Sequence, residues 1–265
     1  GDLTADNAGT LMFAEGGYSS ESGHLVAKNA AQIVFRDQTV SLTGSSGISL
    51  QQGATFETGV LNIESGASLA ASGAQNVLQT NGFSLENGAV ALQFGTDNLY
   101  TEGSNNAVLT VNGRWIISGN NTFAFSIAPE EDEIGSAYYL LALDNEFDVA
   151  MWNAETVSVE GVAFSDLKWI DGNTKLIYQR SAHELIWMNS AGTQKWNLSD
   201  YNWVQEGSAS NLRFYDGDSV HFTDDSPASA QTVILDAAVA PENIYVESDV
   251  NNFVFTGNGK LTGEM

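Results

Sequence analysis

Apolar side chains recur two positions apart along most of this chain, in short runs broken by Gly, Asn and Ser. Between Ile33 and Ile127 the runs are Ile33/Phe35, Val40/Leu42, Ile48/Leu50, Leu61/Ile63, Phe83/Leu85, Val90/Leu92/Phe94, Leu109/Val111, Trp115/Ile117 and Phe123/Phe125/Ile127. A period of two places alternate side chains on one buried face, as a half-buried β-strand requires. The breaks carry turn chemistry: Gly44-Ser45-Ser46-Gly47, Gly53-Ala54, Ser65-Gly66-Ala67, Asn81-Gly82, Asn87-Gly88-Ala89 and Asn112-Gly113. Two arrangements give this pattern. A meander of hairpins is one, because Asn-Gly is a strong hairpin signal. A parallel β-helix is the other, with each break a corner and about 20 residues per coil. Recurrent Gly-Ala corners and the scarcity of the lysines that usually guard hairpin edges favour the β-helix.

The pattern divides the chain into four parts. Residues 1–32 are the least regular and read as a short-stranded N-terminal segment or end cover. Residues 33–128 are β-helix coils. Residues 129–184 form a longer excursion. It contains an acidic turn at Glu130-Glu131-Asp132-Glu133, an apolar run at Tyr138–Leu143, and a helical turn that puts Phe147, Met151 and Trp152 on one face. A hairpin around Asp171-Gly172 follows. Residues 185–265 return to paired apolar positions: Leu212/Phe214, Val220/Phe222, Val233/Leu235, Ile244/Val246 and Phe253/Phe255. The fold class expected is all-β.

Charge narrows the choice of partners. Nine basic residues stand against 33 acidic ones, a net charge of −24. Nucleic acid is an unsuitable partner, since phosphate contacts need clustered Lys and Arg. Anionic lipid is disfavoured for the same reason. There is no cysteine, which excludes thiol chemistry and is compatible with export. No apolar run is long enough for a membrane-spanning helix and no signal-peptide pattern opens the chain. Both ends have the look of cuts within a longer chain.

Residues 185–263 carry a family resemblance. Leu185-Ile186-Trp187, a Gly-containing turn, and Trp196-Asn197 followed by Asn202-Trp203 resemble the passenger-associated repeat region of bacterial autotransporters. Asp216-Gly217-Asp218-Ser219-Val220-His221-Phe222 is similar to a step of that family. So is the rung Phe253-Val254-Phe255-Thr256-Gly257-Asn258-Gly259-Lys260-Leu261-Thr262-Gly263. The resemblance implies a right-handed parallel β-helix, secreted or displayed at the bacterial surface as a structural stalk or adhesin scaffold, without enzymatic activity. Its implied partners are surface proteins or glycans of host or bacterium, with no membrane insertion by this segment. A carbohydrate-binding or carbohydrate-degrading β-helix is the alternative, and a trimeric tail-spike-like fibre a third.

Candidate chemistry is sparse. The histidines His24, His183 and His221 are scattered, no Gly-x-Ser-x-Gly elbow occurs, and alternation turns His221 outward. Trp187, Trp196, Tyr201, Trp203 and Tyr215 could stack sugars; the bland reading packs the tryptophans at a corner, with the neighbouring asparagines satisfying their N–H groups. The acidic residues Asp216, Asp218, Asp224 and Asp225 are weak calcium candidates and otherwise plain turn formers. As a glycosidase pair, Asp216 and Asp218 would have to face each other across a groove. No cofactor is expected, calcium apart.

Overall fold

The computed structural model describes residues 1–127, 135–153, 157–205 and 211–263. The acidic turn at 130–133 lies outside the described residues. The fold is all-β, with parallel and mixed sheets and, among the described residues, only single turns of 3-10 helix. Among the described residues no helix is long and apolar enough to cross a membrane. Contacts divide the chain into a first unit, essentially residues 1–132, 136–160 and 167–179, and a second, residues 133–135, 161–166 and 180–265.

The first unit holds two sheets whose strands alternate along the chain. One is β1 (Leu3–Ala5), β4 (His24–Lys28), β6 (Gly47–Gln51), β8 (Ser68–Ser72), β10 (Ala89–Phe94), β12 (Asn121–Ile127) and β14 (Val157–Glu160), in that spatial order. Every pairing in it is parallel. The other runs from β2 (Thr10–Met12) and β3 (Tyr18–Ser20), both beside β5 (Gln32–Leu42), through β7 (Thr55–Glu64), β9 (Asn76–Glu86) and β11 (Leu109–Ser118) to β13 (Ala137–Leu143). These pairings are parallel as well. The antiparallel strands β16 (Lys175–Gln179) and β15 (Leu167–Ile170) close that sheet.

Register stacks like on like. Leu25, Ile48, Leu69, Val90 and Phe123 form one column of side chains, all buried. Ile33, Phe56, Leu78 and Val111 form a second, fully buried column. Register slips midway between β5 and β7 and between β9 and β11, and strands bend at such irregularities, so these long strands pair as two limbs. The second limbs contribute a third column, Val40, Leu61, Phe83 and Trp115. The bend in β11 falls at Gly113, where φ is +132° and an added Cβ would sit 1.9 Å from the Thr80 carbonyl oxygen. Only glycine fits that position. Buried asparagines tie successive turns: Asn76 donates to the Ser72 and Val108 carbonyls and accepts from the Ala54 amide.

Two segments differ from the sequence expectation. Residues 1–32 are not irregular: four short strands there join both sheets in parallel register. Three of the four are only three residues long, which leaves too few positions to show a period. The segment 129–184 leaves the ladder only in part. β13 and β14 extend the two sheets by one strand each, and the Asp171-Gly172 turn then joins the β15–β16 hairpin. Between β13 and β14, Phe147 and Trp152 are buried against Trp115, Trp169 and Phe123.

The second unit has three small sheets. β20 (Asn211–Leu212), β19 (Trp203–Gln205), β17 (Glu184–Trp187), β21 (Ser219–Thr223) and β24 (Ile244–Glu247) form the first. β18 (Lys195–Trp196), β22 (Thr232–Leu235) and β25 (Val254–Gly257) form the second, and β23 (Ala238–Val239) with β26 (Lys260–Leu261) the third. The pairings β17–β21–β24, β18–β22–β25 and β23–β26 are parallel; β17–β19 and β19–β20 are antiparallel.

Candidate functional site

The three tryptophans of the repeat-like segment are the centre of the second unit's core. Trp187, Trp196 and Trp203 are each 0% exposed. Trp203 meets Trp187 edge-on at 4.8 Å and Trp196 at 5.3 Å, and Phe222 packs against all three. Strand alternation on β17, β18 and β19 sends each ring inward. The rings therefore present no face on which a sugar could stack. The asparagines do not serve the indoles either. Trp187 Nε1 donates to the Ala230 carbonyl at 2.7 Å, and Trp196 and Trp203 Nε1 have no partner among the described residues. The asparagines tie turns instead. Asn202 donates to the Lys195 carbonyl and accepts from the Ala191 amide, and Asn197 accepts from the Ser199 and Asp200 amides. Their short amide side chains reach local backbone more readily than a ring in the core.

Tyr201 and Tyr215 are half-buried and lie against arginines. The Arg180 guanidinium carbon stands 4.0 Å from the centre of the Tyr215 ring, and that of Arg213 lies 5.4 Å from Tyr201 and 5.2 Å from Tyr215. Arg213 also donates to the Tyr215 hydroxyl. Guanidiniums occupy the positions a stacked ligand would need.

Asp218 belongs to a buried polar cluster that links the start of this unit to the Asp216-Gly217-Asp218 turn. Its Oδ2 accepts from Arg180 at 2.6 Å and from the Tyr215 amide, and its Oδ1 from the His183 amide. Burial pushes its carboxyl above the ordinary carboxylate value, while Arg180 and the His183 and Tyr215 amides pull the other way. Arg180 also reaches His183 Nδ1 at 3.2 Å. A guanidinium can only donate, so Nδ1 is an acceptor and the His183 proton sits on Nε2. That nitrogen faces Asp166: Oδ1 takes the hydrogen bond at 3.1 Å, and Oδ2, equally near, lies off the N–H axis. Ser181 Oγ donates to the same Oδ1 at 2.8 Å.

Ser, His and Asp thus meet, but in an order that cannot activate a nucleophile. Nucleophilic catalysis needs His between Ser and Asp so that it can take the hydroxyl proton. Here Asp166 is the hub and both partners donate to it; Asp166 and His183 are buried and Ser181 is exposed. Sequence reasoning missed Asp166, Arg180 and His183 as a group. Their one sequence signal is two ionisable residues, Arg180 and His183, between the apolar strands β16 and β17.

The remaining acidic candidates are separately engaged. Asp216 Oδ1 accepts from the Ala240 amide at 2.7 Å. Asp224 accepts from the Ser248 hydroxyl and from the amides of Asn251, Asp249 and Val250. Those donors hold its carboxyl well below the ordinary range. Asp225 is exposed. Calcium would need these oxygens to converge, and Asp218 is already saturated by Arg180 and two amides. Among the described residues no group of three or more His, Asp or Glu side chains is placed to hold a metal ion. Asp216 is exposed in its turn, while Asp218 is buried against Arg180. His221 lies on the outer side of β21, stacked on Tyr245 at 4.6 Å. Its Nε2 is 2.8 Å from Glu184 and its Nδ1 3.2 Å from Glu247.

Comparison with known proteins adds no relative. No family model, no curated protein and no solved structure matches this chain.

Proposed function

We propose that the chain is a stack of parallel β-coils, right-handed as the passenger-repeat resemblance implies. On this reading it is a non-catalytic stalk or adhesin scaffold of a secreted or surface-displayed bacterial protein. One observation carries the reading. Strands two or more apart in sequence pair in parallel, over and over, and place residues of one kind in columns. A repeating ladder of this sort extends in one direction at about 4.8 Å per strand. Its stability adds up over neighbouring turns, which suits an element that spaces or projects. The Asp218 cluster supports the same reading, because its carboxylate is engaged by Arg180 and two backbone amides. The partners expected are proteins or glycans of host or bacterial surfaces.

Two measurements test it. Antibodies raised against the chain should label intact, unpermeabilised cells of the source bacterium; labelling only after permeabilisation would contradict surface display. Deleting residues 187–263 from the parent protein should lower display, because the stacked end could no longer seed the ladder. Unchanged display would remove that role.

A further inference from the structure

Among the described residues the ladder of the first unit is interrupted beside β11. β13 pairs with the first limb of β11, joining Leu109–Val111 to Leu141–Leu143. β14 pairs with β12 in the other sheet. The chain between them leaves the ladder, so the second limb of β11, Arg114–Ser118, is paired with β9 alone. Among the described residues no strand covers its other side. A cleft of about 360 Å³ lies there, between the Gly113–Ile117 edge and the displaced segment Leu143–Met151. Its size is in the range of ligand-binding clefts.

An unpaired strand edge offers alternate N–H and C=O groups that an extended chain can satisfy. The side chains around this edge define what such a chain must carry. Trp115 and Ile117 point inward on β11, and Phe147 is buried on the facing wall. Phe147 already packs against Trp115, 5.7 Å between ring centres, so the inward residues of an added strand must be apolar and compact enough to lie beside it. The residue between them points outward. It lies beside Ile116, which is 47% exposed, and opposite Glu146 and Asp148, which are exposed on the facing wall of the same cleft. Arg114, also exposed, lines the β11 side of the cleft; a lysine or arginine at the outward position of the added strand lays its stem over Ile116 and turns its charge away from Arg114 toward the Glu146/Asp148 wall.

We propose that this cleft binds an extended peptide segment of another protein by strand addition to β11, reading an apolar–basic–apolar run of side chains. The assignment stands on the interrupted ladder and does not depend on where the protein resides. The net charge of −24 favours the approach of a basic segment.

The test uses the whole chain and a capped peptide, acetyl-Thr-Val-Lys-Val-Thr-amide. Backbone hydrogen exchange is followed with and without peptide. Without it, amides in Arg114–Ser118 should exchange faster than those in Leu109–Val111, which are paired on both sides. With it, exchange in Arg114–Ser118 should slow at least tenfold. A peptide N-methylated at every residue should give no protection, since it keeps no residue N–H with which to form the ladder in either direction. The variant E146Q/D148Q should bind the lysine peptide about three- to fivefold more weakly, the worth of partly exposed ion pairs. Three results would overturn the proposal. One is no protection of Arg114–Ser118 at millimolar peptide, and another is equal binding of the N-methylated peptide. The third is protection that rises with protein concentration alone, which would make a second copy of this chain the occupant.

Discussion

Arg180 shows what a single charge does inside this fold. Its side chain is 2% exposed and its partner Asp218 is fully buried. Removing one member of a buried pair strands the other without water, at a cost of about 3–5 kcal/mol. Arg180→Met should therefore lower the urea-unfolding free energy by about that much; a loss below about 1 kcal/mol would contradict the assigned network. His221 responds to pH instead. Partial burial works against its protonation, but the hydrogen bonds to Glu184 and Glu247 outweigh it, and its pKa lies above the ordinary value. A raised folded pKa means the contribution is fully present below the unfolded pKa of about 6.5 and is lost as pH rises through the folded pKa. The melting temperature should accordingly fall between pH 6 and pH 8.5 in the wild type, and less in His221→Asn. Equal pH profiles for the two proteins would contradict the Glu–His–Glu contact.

At the scale of elements, the alternation of Ile33/Phe35, Leu61/Ile63 or Val90/Leu92 was readable because burial alone decides it. The identity of each strand's neighbour was less readable. A hairpin and a parallel ladder demand the same period of two, and the only discriminating signs were corner glycines and absent lysines. The tryptophans illustrate a second limit. Trp196 beside Asn197 has the same local sequence whether the ring is a core centre or an exposed platform, and only contacts from Phe214 and Phe222 decide. Asp218 illustrates a third. In sequence it reads as a turn residue or a cation ligand, because its real partner, Arg180, lies 38 positions away. Where the bend in β11 needs Gly113, sequence showed a turn and structure shows why no other residue fits. Gly113→Ala sets a Cβ against the Thr80 carbonyl at an already strained φ and should destabilise the protein by at least about 2 kcal/mol. Chemical denaturation measures this, and a neutral substitution would contradict the bend as described.

For the whole molecule, the account depends on parallel pairing between strands that are not consecutive. The absence of cysteine makes that pairing directly measurable. Ser49 and Ala70 face each other across β6 and β8, whereas a hairpin turning at residues 52–54 would set Ser49 against Glu57 of β7, the strand that follows it. Two double variants, Ser49→Cys/Ala70→Cys and Ser49→Cys/Glu57→Cys, are treated with a short bis-thiol cross-linker in native buffer. The parallel ladder predicts rapid internal cross-linking in the first and little in the second. The reverse outcome would contradict it.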